Sequence, residues 1–510
     1  MDVHDTAIAL SPKPTVAPYC GERSPGGGSG FARLAAGLTV GFGPRRGRSR
    51  SGAGATDKRR TVRRSYTTVL GHGHRHTLLK WVALSWGVVC ALHAAPAAAI
   101  PVFARLYDKP CGACHTVFPQ LNPEGENVRA HGLHGLVPAV KPLKIGTLTD
   151  VPGTVPLALY LAGGEDFSKV DVPAQRDPTR THLNLDFLRL LAGGEVGRHL
   201  AFMVDYELIE MEPDTGNLDV NTLPYQAYVV AHAERWEWLG NLKAGWYELP
   251  FLPSPQIHRL SARPYLIYGL NACSLLDVAP PRGTCEDTPT LGETQIGLEL
   301  NAVQPESGLS WAAGFTNGSN NRLDTTTSRD LYLHASQAMG PHRVGLFFYY
   351  SPDIVGGGVD DRTLRLGPDV DFYSRRLRLL GQFLASYESD PTGHSQALWY
   401  YGGFLEANYR LTPTLLSLLR VDYTWTPTFD DRMHGGETPV RRRVWEVTGG
   451  WQWLILQNVK LVAEATYGEN HEAVRDGTVR TWAGTIRLVT AFWFLDPPGL
   501  HEWMEREPPT

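Results

Sequence analysis

Two cysteines and a histidine stand together as Cys111-Gly112-Ala113-Cys114-His115, near the front of a 510-residue chain. Two cysteines at this spacing suit thiol exchange or half of a zinc site when they stand alone. Here a histidine comes directly after them, and no second C-x-x-C occurs among the six cysteines. The pattern fits covalent attachment of a c-type haem. The two thiols add to the two vinyl groups, and the adjoining imidazole meets the iron as proximal ligand. A Cys111–Cys114 disulfide beside an incidental histidine is the plainer alternative. One covalent haem c is therefore expected, on Cys111 and Cys114, with His115 on its iron.

The sixth iron position has several claimants. His131 is the first candidate and His134 the second, either giving a bis-histidine site, although a loop histidine is more often simply solvated. No methionine lies between Ile100 and Phe202. Thioether ligation would need Met203 or Met339, and an open or water-bound site also fits. The segment from Ile100 to about Ile145 is rich in Pro, Gly and Asn. So short a piece cannot cover the apolar face of a haem by itself, so other parts of the chain must complete the pocket.

From Val155 onward the chain repeats one design. In "HLAFMVDYELIE", Leu200, Phe202, Val204, Tyr206 and Leu208 share one face, while Met203, Asp205 and Glu207 share the other. "LLSLLRVDYTW" and "VKLVAEATY" alternate in the same way. Period two puts alternate residues on opposite faces of a sheet. Sixteen such runs begin near residues 155, 181, 199, 222, 240, 293, 308, 329, 342, 362, 376, 397, 414, 441, 458 and 479. Short connections such as "MGPH", "SRR" and "LQN" alternate with longer ones, the longest from Leu252 to Gly292. An even strand number with short turns at one end and long loops at the other predicts a 16-stranded antiparallel outer-membrane β-barrel with a periplasmic N-terminus. Trp246, Tyr349, Tyr350, Trp399, Tyr400, Trp451 and Trp453 are expected in its interfacial girdles. A soluble sandwich or propeller also alternates, but its apolar face is its core. Cys273 and Cys285, in the longest loop, are expected to form a disulfide in an oxidising compartment.

The front of the chain sets the compartment. Residues 1–70 are Gly/Ser/Arg-rich without an apolar period, as in a leader without a fold or residues upstream of the true start. Residues 71–99 carry Arg75 and Lys80, an apolar run from Trp81 to Leu92, and Ala97-Ala98-Ala99, the layout of a signal peptide. No stretch reaches the roughly 18 apolar residues of a spanning helix. The expected organisation is leader 1–70, signal peptide 71–99, monohaem cytochrome c segment 100–145, barrel 146–494 and tail 495–510. A net charge of −4 gives no electrostatic support to a nucleic-acid partner.

The run "PVFARLYDKPCGACHTVFPQLNPEGENVRAHGL", together with the sixteen strand runs after it, resembles the fused outer-membrane cytochrome–porin family of iron-oxidising bacteria. The resemblance rests on Pro101, Phe103, Ala104, Arg105, Cys111, Cys114, His115, Pro119, Leu121, Gly125 and Gly132. Val128 and Leu133 depart from the family pattern, which has aromatics there. "LKAGWYELPF" and "GFTNGSNN" look like strands of phosphate-selective-type porins. The resemblance implies oxidation of extracellular Fe(II), with electrons passed inward to a periplasmic carrier, a cytochrome or a copper protein. Asp360, Asp361, Asp430 and Asp431 could attract Fe(II) at the outer loops, although such acids are more often simply solvated loop charges. The sequence itself offers no catalytic triad or carboxylate pair, in keeping with electron transfer. Two alternatives are a diffusion porin whose haem is structural or sensory, and a conduit serving another donor.

Overall fold

The period-two alternation folds into a closed sheet turned inside out relative to a soluble protein. The computed structural model describes Tyr107, Lys109, residues 111–133 and, with intervals, residues 143–493. The leader, the signal peptide with Cys90, His134, Cys273, Cys285 and the tail lie outside the described residues. A 3₁₀ turn at Cys111–Ala113 leads into a hairpin of β1 (His115–Val117) and β2 (Gln120–Leu121), then helix α1 (Pro123–Ala130). A small ladder of β3 (Leu143–Ile145) and β4 (Thr149–Val151) comes next.

The barrel strands are β5 (Leu157–Asp171), β6 (Arg180–Val196), β7 (Leu200–Met211), β9 (Gln226–His232), β10 (Asn241–Tyr247) and β11 (Gln295–Gln304). They continue through β12 (Leu309–Thr316), β13 (Asp330–Met339), β14 (His342–Val355), β15 (Val359–Tyr373) and β16 (Leu377–Glu388). The wall is completed by β17 (Leu398–Arg410), β18 (Leu415–Asp430), β19 (Pro439–Leu456), β20 (Val459–Glu472) and β21 (Gly477–Trp493). A two-residue strand, β8 (Leu218–Asp219), pairs antiparallel with the end of β7. Every start falls within four residues of the position expected from alternation. All neighbours are antiparallel, and β21 pairs with β5 from Arg480↔Asp171 to Trp493↔Ala158, which closes the barrel and leaves no edge.

On β18, Leu419 is 55% exposed and Val421, Tyr423 and Trp425 share its outward face, while Arg420 and Asp422 are fully buried on the other. Apolar outside and polar inside is the pattern of a barrel solvated by lipid. It excludes the sandwich and propeller readings. Trp399, Trp451 and Trp453 stand exposed as girdle residues should. Tyr349 and Tyr400 do not, because their positions on the strand turn them inward; Tyr349 bonds Asp330, and Tyr400 donates to Glu388 at 2.9 Å. The chain is a multi-pass β-barrel of the outer membrane.

The long connection after β10 departs from expectation. Instead of standing outside, residues 248–272 of it fill the lumen. Leu249, Phe251, Tyr265, Ile267 and Tyr268 are buried against Phe347, Leu384 and Phe404 of the wall. Each such buried side chain contributes about 1.5–3 kcal/mol. The loop backbone is satisfied by wall side chains. Leu252 N donates to Asp369 at 3.1 Å, Leu266 N to Asp422 at 3.2 Å and Ala262 N to Glu464 at 3.0 Å. Arg420 donates to the carbonyls of Arg263 and Pro264 at 2.8 and 2.9 Å. Buried loop backbone needs such partners.

Candidate haem site

The Cys-x-x-Cys-His stretch is shaped by Asn122. Its side chain donates to the carbonyls of Gly112 (3.1 Å) and Ala113 (3.0 Å) and accepts from Gly125 N at 2.9 Å, as the cap of α1. Its backbone N–H donates to Cys114 O at 2.9 Å. One side chain thus ties the cysteine turn to the helix start, and Pro123 at the first helical position suits that entry. The approach is close enough to require glycine at 125, where a Cβ would lie 2.1 Å from Cys114 O.

His115 leaves this turn along β1. Its Nδ1 lies 3.1 Å from Pro119 O, which fixes the ring and assigns the proton to Nδ1, leaving Nε2 for a metal. Burial pushes its pKa down to about 4, so the imidazole is neutral at ordinary pH, as ligation requires. Phe118 packs edge-on to His115, with ring centroids 5.3 Å apart, and to Tyr160 of β5 at 5.0 Å. The Cys111 and Cys114 thiols are free, not joined to each other, and burial raises the pKa of both.

These groups face an open-sided cavity of about 280 Å³ between the segment and the barrel wall. Cys111, Cys114, His115 and Val128 line one side, and Ala158, Leu191, Met203 and Tyr228 the other. So short a segment needs a roof from elsewhere in the chain, and the wall supplies it. Two uncommitted thiols, a neutral imidazole with its ring held through Nδ1, and a largely apolar lining fit the donor set and surroundings of a c-type haem.

Buried ionic contacts seat the segment. Arg378 of β16 donates to Leu121 O, forms a two-pronged pair with Asp371 at 2.8 and 2.7 Å, and lies 3.7 Å from Glu126 of α1. Glu126 also pairs with Arg129 at 2.8 Å, and Arg129 reaches Phe251 O of the inserted loop at 3.4 Å. His258 of that loop places Nδ1 3.2 Å from Pro119 O, the carbonyl that holds His115. Val117 packs with Leu260 of the loop and Leu416 and Leu418 of β18.

The remaining candidates are scattered. His131 caps the C-terminus of α1, with Nδ1 2.8 Å from Asn127 O, and is not among the cavity-lining side chains. Met203 faces the cavity, and Met339 is 51% exposed. Asp361 is buried and accepts from Arg362 N, Ser389 Oγ and Asp390 N, so it serves its own loop. Asp360 is exposed, Asp430 ends β18, and Asp431 lies outside the described residues. Among the described residues, no three His, Cys, Asp or Glu side chains gather as a separate metal site. Sequence reasoning missed Arg378 and His258, because each acts on a residue more than a hundred positions away and carries no local signal.

No protein-family model matches the sequence, and no curated protein matches it. Among solved structures the chain is similar to the anion-selective porin from Comamonas acidovorans, at 12% identity and a TM-score of 0.47, over 66% of this chain and 99% of that one. It is also similar to the outer membrane channel DcaP of Acinetobacter baumannii, at 12% identity and a TM-score of 0.46, over 69% of this chain and 100% of that one. A third is a loop-deleted OmpT of Vibrio cholerae, at 10% identity and a TM-score of 0.44, over 66% of this chain and 99% of that one.

Proposed function

We propose that this outer-membrane barrel carries one covalent haem c in its lumen and passes electrons inward, from extracellular Fe(II) to a periplasmic carrier, a cytochrome or a copper protein. The observation that carries the reading is the placement of Cys111, Cys114 and His115 together on a cavity roofed by the barrel wall. Cys111 and Cys114 would form the two thioethers, and His115 Nε2 would meet the iron. When bound, the haem supplies reversible one-electron chemistry at its iron. The protein residues orient and shelter the site. Pro119 O holds the proximal ring, Phe118 and Tyr160 close one flank against water, and Arg378 keeps β2 and α1 seated. In the overall reaction each Fe(II) becomes Fe(III), and one carrier molecule gains one electron.

A second reading is a diffusion porin with a structural or sensory haem. Barrel size favours it, since sixteen-stranded porins leave an aqueous channel. The inserted loop and the cytochrome segment, which together occupy the lumen, favour a conduit with little open pore. The two readings separate in one preparation. The full-length protein is purified in detergent, stained for covalent haem, mixed anaerobically with Fe(II), and reconstituted in a planar bilayer. The conduit predicts haem reduction by Fe(II) and negligible conductance. A porin predicts steady conductance and a haem spectrum unmoved by Fe(II).

A further inference from the structure

With His115 on one side of the iron, the opposite position needs a donor. We propose that Met203 of β7 supplies it as a thioether ligand, an assignment that rests on the proposed haem.

Of the described residues lining the cavity, only His115, His258, His334 and Met203 carry an imidazole or thioether. His258 shares the Pro119 carbonyl with His115 through Nδ1, at 3.2 and 3.1 Å. Rings that share one oxygen in this way stand on the same side of the site, whereas trans ligands turn their far nitrogens away from each other across the iron. His258 therefore backs His115 and does not oppose it. His334 directs Nε2 at Asp369, 3.0 and 3.2 Å from its two oxygens. Met203 is left.

Its position suits the role. Met203 shares the lumen face of β7 with Ala201 and Asp205, both buried. Across one ladder it faces Gly193, which has no side chain to cover it, and across the other Tyr228. The cytochrome segment comes near the wall on both flanks of this point. Buried Tyr107 lies near enough to Glu195 to feel its charge, and Glu195 pairs with Ala201. On the other flank Gly132, at φ +67°, approaches Val230 so closely that a Cβ would lie 2.6 Å from its methyl, and Val230 also pairs with Ala201. The thioether thus sits, half-buried, on the wall under the crevice that the segment spans. Methionine's three rotatable bonds let it reach into an irregular space. Its ligation raises the reduction potential, which suits a haem that must accept electrons from Fe(II).

The test uses full-length protein purified from outer membranes, with Met203→Leu and Met203→His variants. Covalent haem in denatured wild type is scored first, and its absence overturns the haem reading itself. With haem present, the ferric wild type should show the far-red sulfur-to-iron charge-transfer band of thioether ligation. Met203→Leu should lose that band and become high-spin. Met203→His should stay low-spin without it. The reduction constant should fall at least tenfold in Met203→His, a shift of about 59 mV for one electron. A wild-type spectrum lacking the band overturns the assignment even if a variant fails to fold. So does a Met203→Leu protein with an unchanged low-spin spectrum and potential.

Discussion

Two pieces of this chain occupy the same lumen and are held there by different means. The loop of residues 248–272 brings its own apolar mass: Phe251 lies 4.2 Å from Phe347, centroid to centroid, and Tyr265 stacks on Phe404 at 3.9 Å. The segment of the Cys-x-x-Cys-His motif, described at Tyr107, Lys109 and residues 111–133, buries little of that kind. Among its described side chains only Tyr107, Val117 and Leu121 are buried hydrophobics. It is seated by a buried arginine, a shared carbonyl and an asparagine cap. The loop therefore behaves as part of the barrel core, held by about 1.5–3 kcal/mol for each buried side chain. The segment lines one side of a cavity and depends on the wall and the inserted loop for its apolar contacts.

This contrast breaks most sharply at the motif. His115→Ala should abolish the Fe(II)-dependent change in the haem spectrum, while the barrel keeps its strand content by circular dichroism and its shift in mobility on heating. Loss of the barrel as well would mean the two pieces are not separable. Gly125→Ala should come next. Its Cβ would meet backbone 2.1 Å away, so the cysteine turn cannot form as it stands, and the yield of covalent haem should fall severely by haem stain.

Arg378→Ala leaves Asp371 buried without its partner, a loss of about 3–5 kcal/mol, while Glu126 keeps its pair with Arg129. Limited proteolysis should then cut the segment while sparing the barrel. Phe251→Ala should cost a comparable ~3–5 kcal/mol but act on the loop, raising bilayer conductance with little change in haem content. Asn122→Ala should have the smallest effect, about 1 kcal/mol of helix capping together with the loss of its bonds to Gly112 and Ala113, read as faster proteolysis near α1.

Local patterns told much of this in advance. The Cys-x-x-Cys-His motif stood out as a candidate site because its spacing lies within five residues, and its three side chains do line one cavity. The barrel was legible because lipid and lumen impose period two on every strand, and the same parity put Met203 inside with Asp205 and Glu207. Parity was also what defeated the girdle assignment at Tyr349: its neighbour Phe348 faces out, so Tyr349 cannot. The inward fold of the loop was hidden because its apolar residues keep no period, and their partners sit on distant strands. Arg378 bonds Leu121 across 257 positions, and His258 reaches Pro119 across 139. Contacts at that range depend on barrel closure, which no short stretch of sequence records.

Anaerobic titration of the purified full-length protein with Fe(II), monitored by haem absorption beside the His115→Ala variant, tests the central claim most directly. An electron conduit predicts reduction of the wild-type haem by about one electron per chain and no such change in the variant. A chain that carries no covalent haem, or a wild-type haem left oxidised by excess Fe(II), would contradict it.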